Sequence, residues 1–201
     1  MADSEDYEKL IEYLKAGDGA DIAQQFILSG CLQMIYEDVK YKITSKLKSF
    51  FTEPQNFEIT ESGEILYHPS EKYEKIVKGK SAQKACREWL VSIGALSDED
   101  AELIVHMIDR RNEAAHNSFE RFVSSSRQPL SAIEVAAYLT ISRKIDQFWI
   151  QTELETDPDT DWEALDLEGS TFVNTMLVEN LCTLALKEAG LWPPAEFDDA
   201  D

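Results

Sequence analysis

The stretch "ADIAQQFILSGCLQMIYEDVKYKITSKLKSFF", residues 20–51, decides the fold. Its apolar side chains recur at the three- and four-residue intervals that form one stripe on an α-helix. The members of this stripe are Ile22, Phe26, Leu32, Ile35, Val39, Ile43, Leu47 and Phe50. The pattern predicts one long helix, weakened near Gly30, because glycine inside a helix costs about 1 kcal/mol relative to alanine.

Similar apolar spacing recurs on either side of this stretch. It predicts helices over residues 3–15, 81–93, 98–123, 131–152 and 171–190. Residues 53–70 break the helical pattern, and alternation around "FEIT" and "EILYH" predicts a short hairpin or an ordered loop there. We therefore expect an all-α protein, a helical bundle of about five to six helices with a short irregular or hairpin insertion. It would form a single domain over residues 1–201, with an acidic segment at 1–18, the insertion at 53–70 and an acidic tail at 191–201.

The charge of the chain limits the classes of function. The formal net charge is -20 and the sequence pI about 4.4. Such a balance argues against a protein that coats nucleic acid and is more typical of a protein that is soluble or binds a basic partner. The sequence contains neither an apolar run of about 20 residues nor a signal peptide, so we expect no membrane association and a cytoplasmic location. The cysteines, Cys31, Cys86 and Cys182, are isolated and odd in number, which favours three buried thiols over disulfides or a zinc site.

Arginine departs from this acidic average. Four of the six arginines lie between positions 110 and 127, close to the stretch "DRRNEAAHNS" at 109–118. On a helix with about 100° per residue, Arg111 falls on the apolar stripe that also contains Ile104, Ile108, Ala115, Phe119 and Phe122. Asp109, Arg110 and Glu113 point toward water on the same projection. An arginine on a packing stripe is costly unless it is ion-paired or opens into a cleft.

The segment "RNEAAH", residues 111–116, resembles the signature of the HEPN superfamily. In that family an arginine, often followed by a polar residue, precedes a histidine by four to six intervening positions on a helical bundle. The resemblance implies a metal-independent endoribonuclease, a homodimer whose two motifs form one composite site, and a role in toxin–antitoxin or antiviral systems. Some family members are inactive and bind nucleotides, RNA or proteins.

The residue types suit cleavage of single-stranded RNA through the ribose 2′-OH. We assign Arg111 as the phosphate clamp, because its planar fork keeps its charge, and His116 as general acid or base, because imidazole titrates near neutrality. Asn112 would hold the phosphate or orient His116. Arg110, Arg121 and Arg127 would supply auxiliary contacts to the RNA backbone. We expect no metal and no cofactor, because no carboxylate cluster with metal-ligand spacing lies nearby.

Two alternatives remain open from the sequence. Arg111 would have a structural role if a carboxylate on another helix paired with it in the core. Independently of Arg111, the chain as a whole would be a catalytically silent helical interaction module that binds a basic protein partner or a nucleotide, which the net charge of -20 favours. An inhibitory or regulatory protein partner is compatible with either function.

Overall fold

The computed structural model describes residues 20–116, 129–156 and 170–193, and it confirms an all-α bundle with a short hairpin insertion. The long helix α1 comprises Ala20–Lys40, π-helical Tyr41–Lys46 and Leu47–Phe50. The other described helices are α2 (Glu71–Val77), α3 (Ala82–Ser92), α4 (Asp98–His116), α5 (Ala132–Glu155) and α6 (Val173–Glu188). Strands β1 (Thr52–Ile59) and β2 (Ile65–Pro69) pair antiparallel. The predictions for residues 3–15, 117–123 and 194–201 lie outside the described residues.

Helix α1 is the centre of the bundle. It contacts α4, α5 and α6, and Leu32, Ile35, Val39 and Ile43 on its inner face are completely buried. The predicted length of the helix is confirmed, and the glycine at position 30 does not interrupt it. The backbone is α-helical through Gly30, and within α1 the hydrogen-bonding pattern changes from α-helical to π-helical at Tyr41–Lys46.

Helices α4 and α6 lie on opposite sides of the α1–α5 pair. Helix α4 meets α1 at Gln33, whereas α6 meets α1 through Cys31 and Lys42, and both also contact α5. The groove between α1 and α4 and the outer face of α6 therefore lie on opposite sides of the bundle.

The helix ends follow the sequence signals. Ser97 and Asp100, whose three-residue spacing is typical of a capping pair, cap α4: the Ser97 amide donates to Asp100 Oδ2 at 2.7 Å and the Asp100 amide donates to Ser97 Oγ at 3.1 Å. Ser131 and Glu134 form the same reciprocal box at the start of α5. Gly94 follows α3 with a φ of 77°, which a residue with a side chain would adopt only with strain. Helix α2 was not predicted, since its seven residues are too few for a clear apolar period.

A buried charge network that was not predicted from the sequence joins α1, α5 and α6. The Lys42 ammonium lies 2.6 Å from Asp38 Oδ2 and 2.8 Å from Asp146 Oδ1. It also donates to Ser142 Oγ at 2.7 Å and to the Thr175 hydroxyl. All five side chains are buried, so the network fixes the position of the π-helical segment against two neighbouring helices.

The remaining side-chain environments agree with a packed bundle. All three cysteines are buried, and burial raises the pKa of the Cys86 thiol.

None of the helices in the described ranges is both long and apolar enough to cross a bilayer.

Candidate functional site

The structure places Arg111 in the groove between α4 and α1. Its side chain is half-buried, its Nε donates to Gln33 Oε1 at 3.0 Å, and its Nη1 donates to Asn112 Oδ1 at 3.2 Å. Both acceptors are neutral amide oxygens, and no described carboxylate pairs with this guanidinium. The alternative of a core ion pair at Arg111 is therefore not what the described residues show, and its positive charge is not cancelled by them.

The guanidinium of Arg111 also makes a cation–π contact with an aromatic ring of α1. The Arg111 Cζ atom lies 4.9 Å from the centroid of the Tyr36 ring, and the Lys40 ammonium lies 5.6 Å from the same centroid. Tyr36 itself is buried, so the ring is a fixed platform with two cations over it. Glu37 accepts from Lys40 at 3.2 Å and from Gln33 at 3.1 Å, and it balances the charge of Lys40. Among the described residues of the groove, Arg111 is thus the cation whose charge no carboxylate balances.

Asn112 is exposed beside Arg111 and contacts it directly. This contact was not predicted from the sequence, where we expected Asn112 to hold the phosphate or to orient His116. The backbone of His116 ends α4, one helical turn beyond Asn112, and the His116 side chain lies outside the described residues. The structure therefore joins Arg111 to Asn112 and gives no geometry for the histidine ring.

The predicted water-facing orientation of Arg110 is wrong. Arg110 is only 8% exposed. It forms a two-point contact with Glu134 at 2.8 and 3.3 Å, and it also donates to Glu113 at 3.2 Å and to the Pro129 carbonyl at 2.8 Å. Burial alone would lower the pKa of Arg110, but the hydrogen bond and charge of Glu134 outweigh it and raise that pKa. Arg110 thus joins α4 to the start of α5, and its charge is balanced within the protein.

The error in the helical projection has a simple physical cause. The buried side of α4 contains Ile104, Met107 and Arg110, whereas Ala115, which we expected on the stripe, is exposed. A shift of one residue rotates the assigned face by about 100°. The partner that draws Arg110 inward lies on α5, far away in sequence. Arg121, Arg127, Phe119 and Phe122 lie outside the described residues, so their predicted roles stay predictions.

Three further residues of the groove were not predicted from sequence. Gln33, Tyr36 and Lys40 follow one another on α1 at three- and four-residue intervals, which is the usual spacing of residues on one helical face. Nothing in the sequence distinguishes this face from any other polar face, because its relation to Arg111 depends on how α1 and α4 pack. A separate cavity of about 530 Å³ lies near the π-helical segment, lined by Lys42, Lys46 and Trp149 among others, and does not include Arg111.

Two exposed apolar surfaces accompany the groove. One is a stripe on the outer face of α6, where Val173, Leu177, Leu181 and Leu184 are 66%, 51%, 54% and 58% exposed. The other is one face of the hairpin. Contiguous exposed apolar surface on this scale commonly marks an interaction site.

No protein-family model matches the chain, and no curated protein or solved structure matches it. The resemblance to the HEPN superfamily therefore depends on the sequence pattern alone.

Proposed function

We propose that the chain is a cytoplasmic, metal-independent endoribonuclease of HEPN type that cleaves single-stranded RNA, within a toxin–antitoxin or antiviral defence system. The observation that carries this proposal is the state of Arg111. Its guanidinium is held by two amide oxygens and a tyrosine ring, with no carboxylate partner among the described residues. Fixed, uncancelled positive charge is what a phosphodiester requires as negative charge develops in the transition state.

The proposed mechanism divides the work between the two ends of the motif. Arg111 binds a non-bridging phosphate oxygen through the N–H groups that Gln33 and Asn112 leave unused. His116 removes the proton from the 2′-OH or donates one to the departing 5′-oxygen, and the 2′-oxygen forms the new bond to phosphorus as the bond to the 5′-oxygen breaks. Asn112 holds Arg111 in place. Gln33 and Tyr36 act as positioning residues, and Arg110 has a structural role.

The test is cleavage of a labelled single-stranded RNA in the presence of EDTA by the purified full chain. Arg111→Ala and His116→Ala should each lower the rate by about 100-fold or more, as expected for loss of a group that acts on the transition state. Arg143→Ala is the matched control, because this arginine pairs with Glu179 of α6 on the other side of the bundle and should leave the rate unchanged. Cleavage that is absent in the wild type, or equal in all variants, would overturn the proposal.

The resemblance also implies a homodimer with a composite site. If one site takes Arg111 from one protomer and His116 from the other, mixing the two inactive variants restores part of the activity. The interface would have to include the α1–α4 face, because Arg111 lies there. The apolar stripe of α6 lies on the opposite side of the α1–α5 pair and would not form this interface. Sedimentation velocity of the wild type measures the oligomeric state independently of cleavage.

The stripe on α6 favours a second candidate function, a catalytically silent helical interaction module. A basic amphipathic helix of another protein suits this surface, because its cations would be attracted to a chain with a net charge of -20. The discriminating variant is Leu177→Ser/Leu181→Ser. It should abolish binding of a Leu–Lys amphipathic peptide and leave RNA cleavage unchanged if both surfaces are functional. A wild type that binds the peptide but cleaves no RNA would favour the second function over the first.

A further inference from the structure

The β1–β2 hairpin has one apolar face that no described residue covers. Phe57 pairs with Tyr67 and Ile59 pairs with Ile65 across the two strands. The Phe57 and Tyr67 ring centroids are 6.1 Å apart, so these two side chains lie on the same face. The exposed fractions of Phe57, Tyr67, Ile59 and Ile65 are 48%, 54%, 65% and 50%. Four large apolar side chains therefore form a continuous exposed surface at the far end of the hairpin.

The ordinary exposure of one side of a strand does not explain this apolar surface. The alternate face of the same strands carries Leu66 together with Glu58 and His68, whose side chains approach to 3.6 Å, so the hairpin has one apolar and one more polar face. A two-stranded sheet without a packed face is at best marginally stable in water. Toward its base, the apolar face continues into a groove of about 520 Å³ that is lined by Tyr67, Pro54 and Lys48 among others. A hairpin of this kind gains stability when a second surface covers it.

The charges around the surface indicate what that second surface is. Residues 52–70 contain four glutamates and neither lysine nor arginine. Two of them, Glu61 and Glu64, lie at the turn next to the Ile59–Ile65 pair. A second copy of the chain on this face would bring its own Glu61 and Glu64 toward the surface that these two glutamates border, which like-charge repulsion disfavours. An apolar surface bordered by carboxylates is complementary to apolar residues flanked by lysine or arginine.

We propose that the apolar face of the hairpin binds an amphipathic segment of another protein, in which apolar residues alternate with lysine or arginine. The apolar side chains of the segment cover Phe57, Ile59, Ile65 and Tyr67, and its cations lie beside Glu61 and Glu64. The hairpin is an insertion between α1 and α2, so this binding does not require the α1–α4 groove or the proposed cleavage of RNA.

The probe is a short fluorescent peptide in which valine and lysine alternate, compared with the same peptide carrying glutamate in place of lysine. Fluorescence anisotropy with the full chain should show binding of the lysine peptide only. Ile59→Thr/Ile65→Thr removes apolar area while keeping residues that favour strands, and it should weaken binding by at least about tenfold. Leu66→Thr, on the other face of the hairpin, is the matched control and should change the affinity by less than about twofold.

A second pair of variants isolates the charge without altering the strands. Glu61→Gln/Glu64→Gln should weaken binding of the lysine peptide and reduce the salt dependence of its affinity. The same two charge removals in α2, Glu71→Gln/Glu74→Gln, keep the net charge equal and should have little effect. These variants also decide the matter if the double threonine variant loses the hairpin, which circular dichroism would show.

Three results would overturn the proposal. The first is equal binding of the lysine peptide to the wild type and to Ile59→Thr/Ile65→Thr, which would show general attraction to an acidic protein. The second is equal binding of the glutamate peptide. The third is a wild type that self-associates in sedimentation experiments while the threonine variant does not, which would assign the face to a second copy.

Discussion

Lys42→Met tests how strongly the buried charge network holds the bundle together. The substitution keeps an unbranched side chain of similar length and removes the ammonium. It leaves Asp38 and Asp146, at 9% and 0% exposure, facing each other without the cation between them. Asp146 Oδ2 still accepts from the Thr171 hydroxyl and the Phe172 amide, each at 2.9 Å. Asp146 Oδ1, however, accepts no hydrogen bond of good geometry from the described residues and depends on the charge of Lys42.

Breaking a buried ion pair by removing one partner costs about 3–5 kcal/mol, because the other charge stays buried and uncompensated. We expect Lys42→Met to lower the free energy of unfolding by this amount. Urea denaturation followed by circular dichroism measures it. With a slope of about 2 kcal/mol per molar urea, the midpoint would fall by about 1.5–2.5 M.

The combined variant Asp38→Asn/Lys42→Met/Asp146→Asn removes all three charges together. It should recover most of the lost stability, because no uncompensated charge then remains. A loss below about 1 kcal/mol for Lys42→Met with an unchanged slope would refute the reasoning. So would a triple variant that is less stable than the single one.

Three other predictions concern separate parts of the bundle. Gly30→Ala should raise the free energy of unfolding by about 0.5–1 kcal/mol, because a methyl group there meets no atom within 4 Å and alanine favours the helix, as thermal denaturation would show. Arg110→Ala should lower stability by about 2–3 kcal/mol through the lost Glu134 contacts, whereas Arg111→Ala should cost less than about 1 kcal/mol; similar losses for both in urea would remove the distinction between them. Asp100→Asn should cost about 1 kcal/mol at pH 7 through the capping box of α4. Although burial opposes it, hydrogen bonds from Lys144 and Ser97 lower the pKa of Asp100 below its ordinary 3.8, so its contribution is present above that value and disappears as the pH falls through the lower folded-state pKa. A difference between wild type and Asp100→Asn that persists unchanged at pH 2 would contradict this account.

The sequence was sufficient for the features that depend on local periodicity. The apolar period of residues 20–51 predicted α1, and the alternation on both sides of "ESGE" predicted the hairpin. The cap of α4 followed from the spacing of Ser97 and Asp100. Each of these signals lies within a few residues of the structure that it specifies, so no knowledge of the tertiary packing is needed.

Features that depend on partners far away in sequence were missed or misplaced. Arg110 and Arg111 are adjacent, and the packing of α4 against the start of α5, where Glu134 lies, decides which of them is buried. Asp38 and Lys42 have the spacing of an ordinary helical ion pair, and the sequence does not show that Asp146 approaches the same ammonium from another helix. The residues of the candidate site also fall into those that the sequence indicated and those that only the packing brings in. The motif on α4 was visible in sequence, whereas Gln33, Tyr36 and Lys40 of α1 join it only through packing.

The wide turn at Tyr41–Lys46 determines the direction in which the hairpin leaves the bundle. A π-helical turn is commonly equivalent to an α-helix with one additional residue. Deleting one residue from this turn would restore the tighter ladder, but it would also rotate everything downstream by about 100° and move it back by about 1.5 Å along the axis. The hairpin would then emerge over a different side of the protein. A one-residue length difference at this turn between two otherwise similar chains is therefore enough to present their insertions to different neighbours.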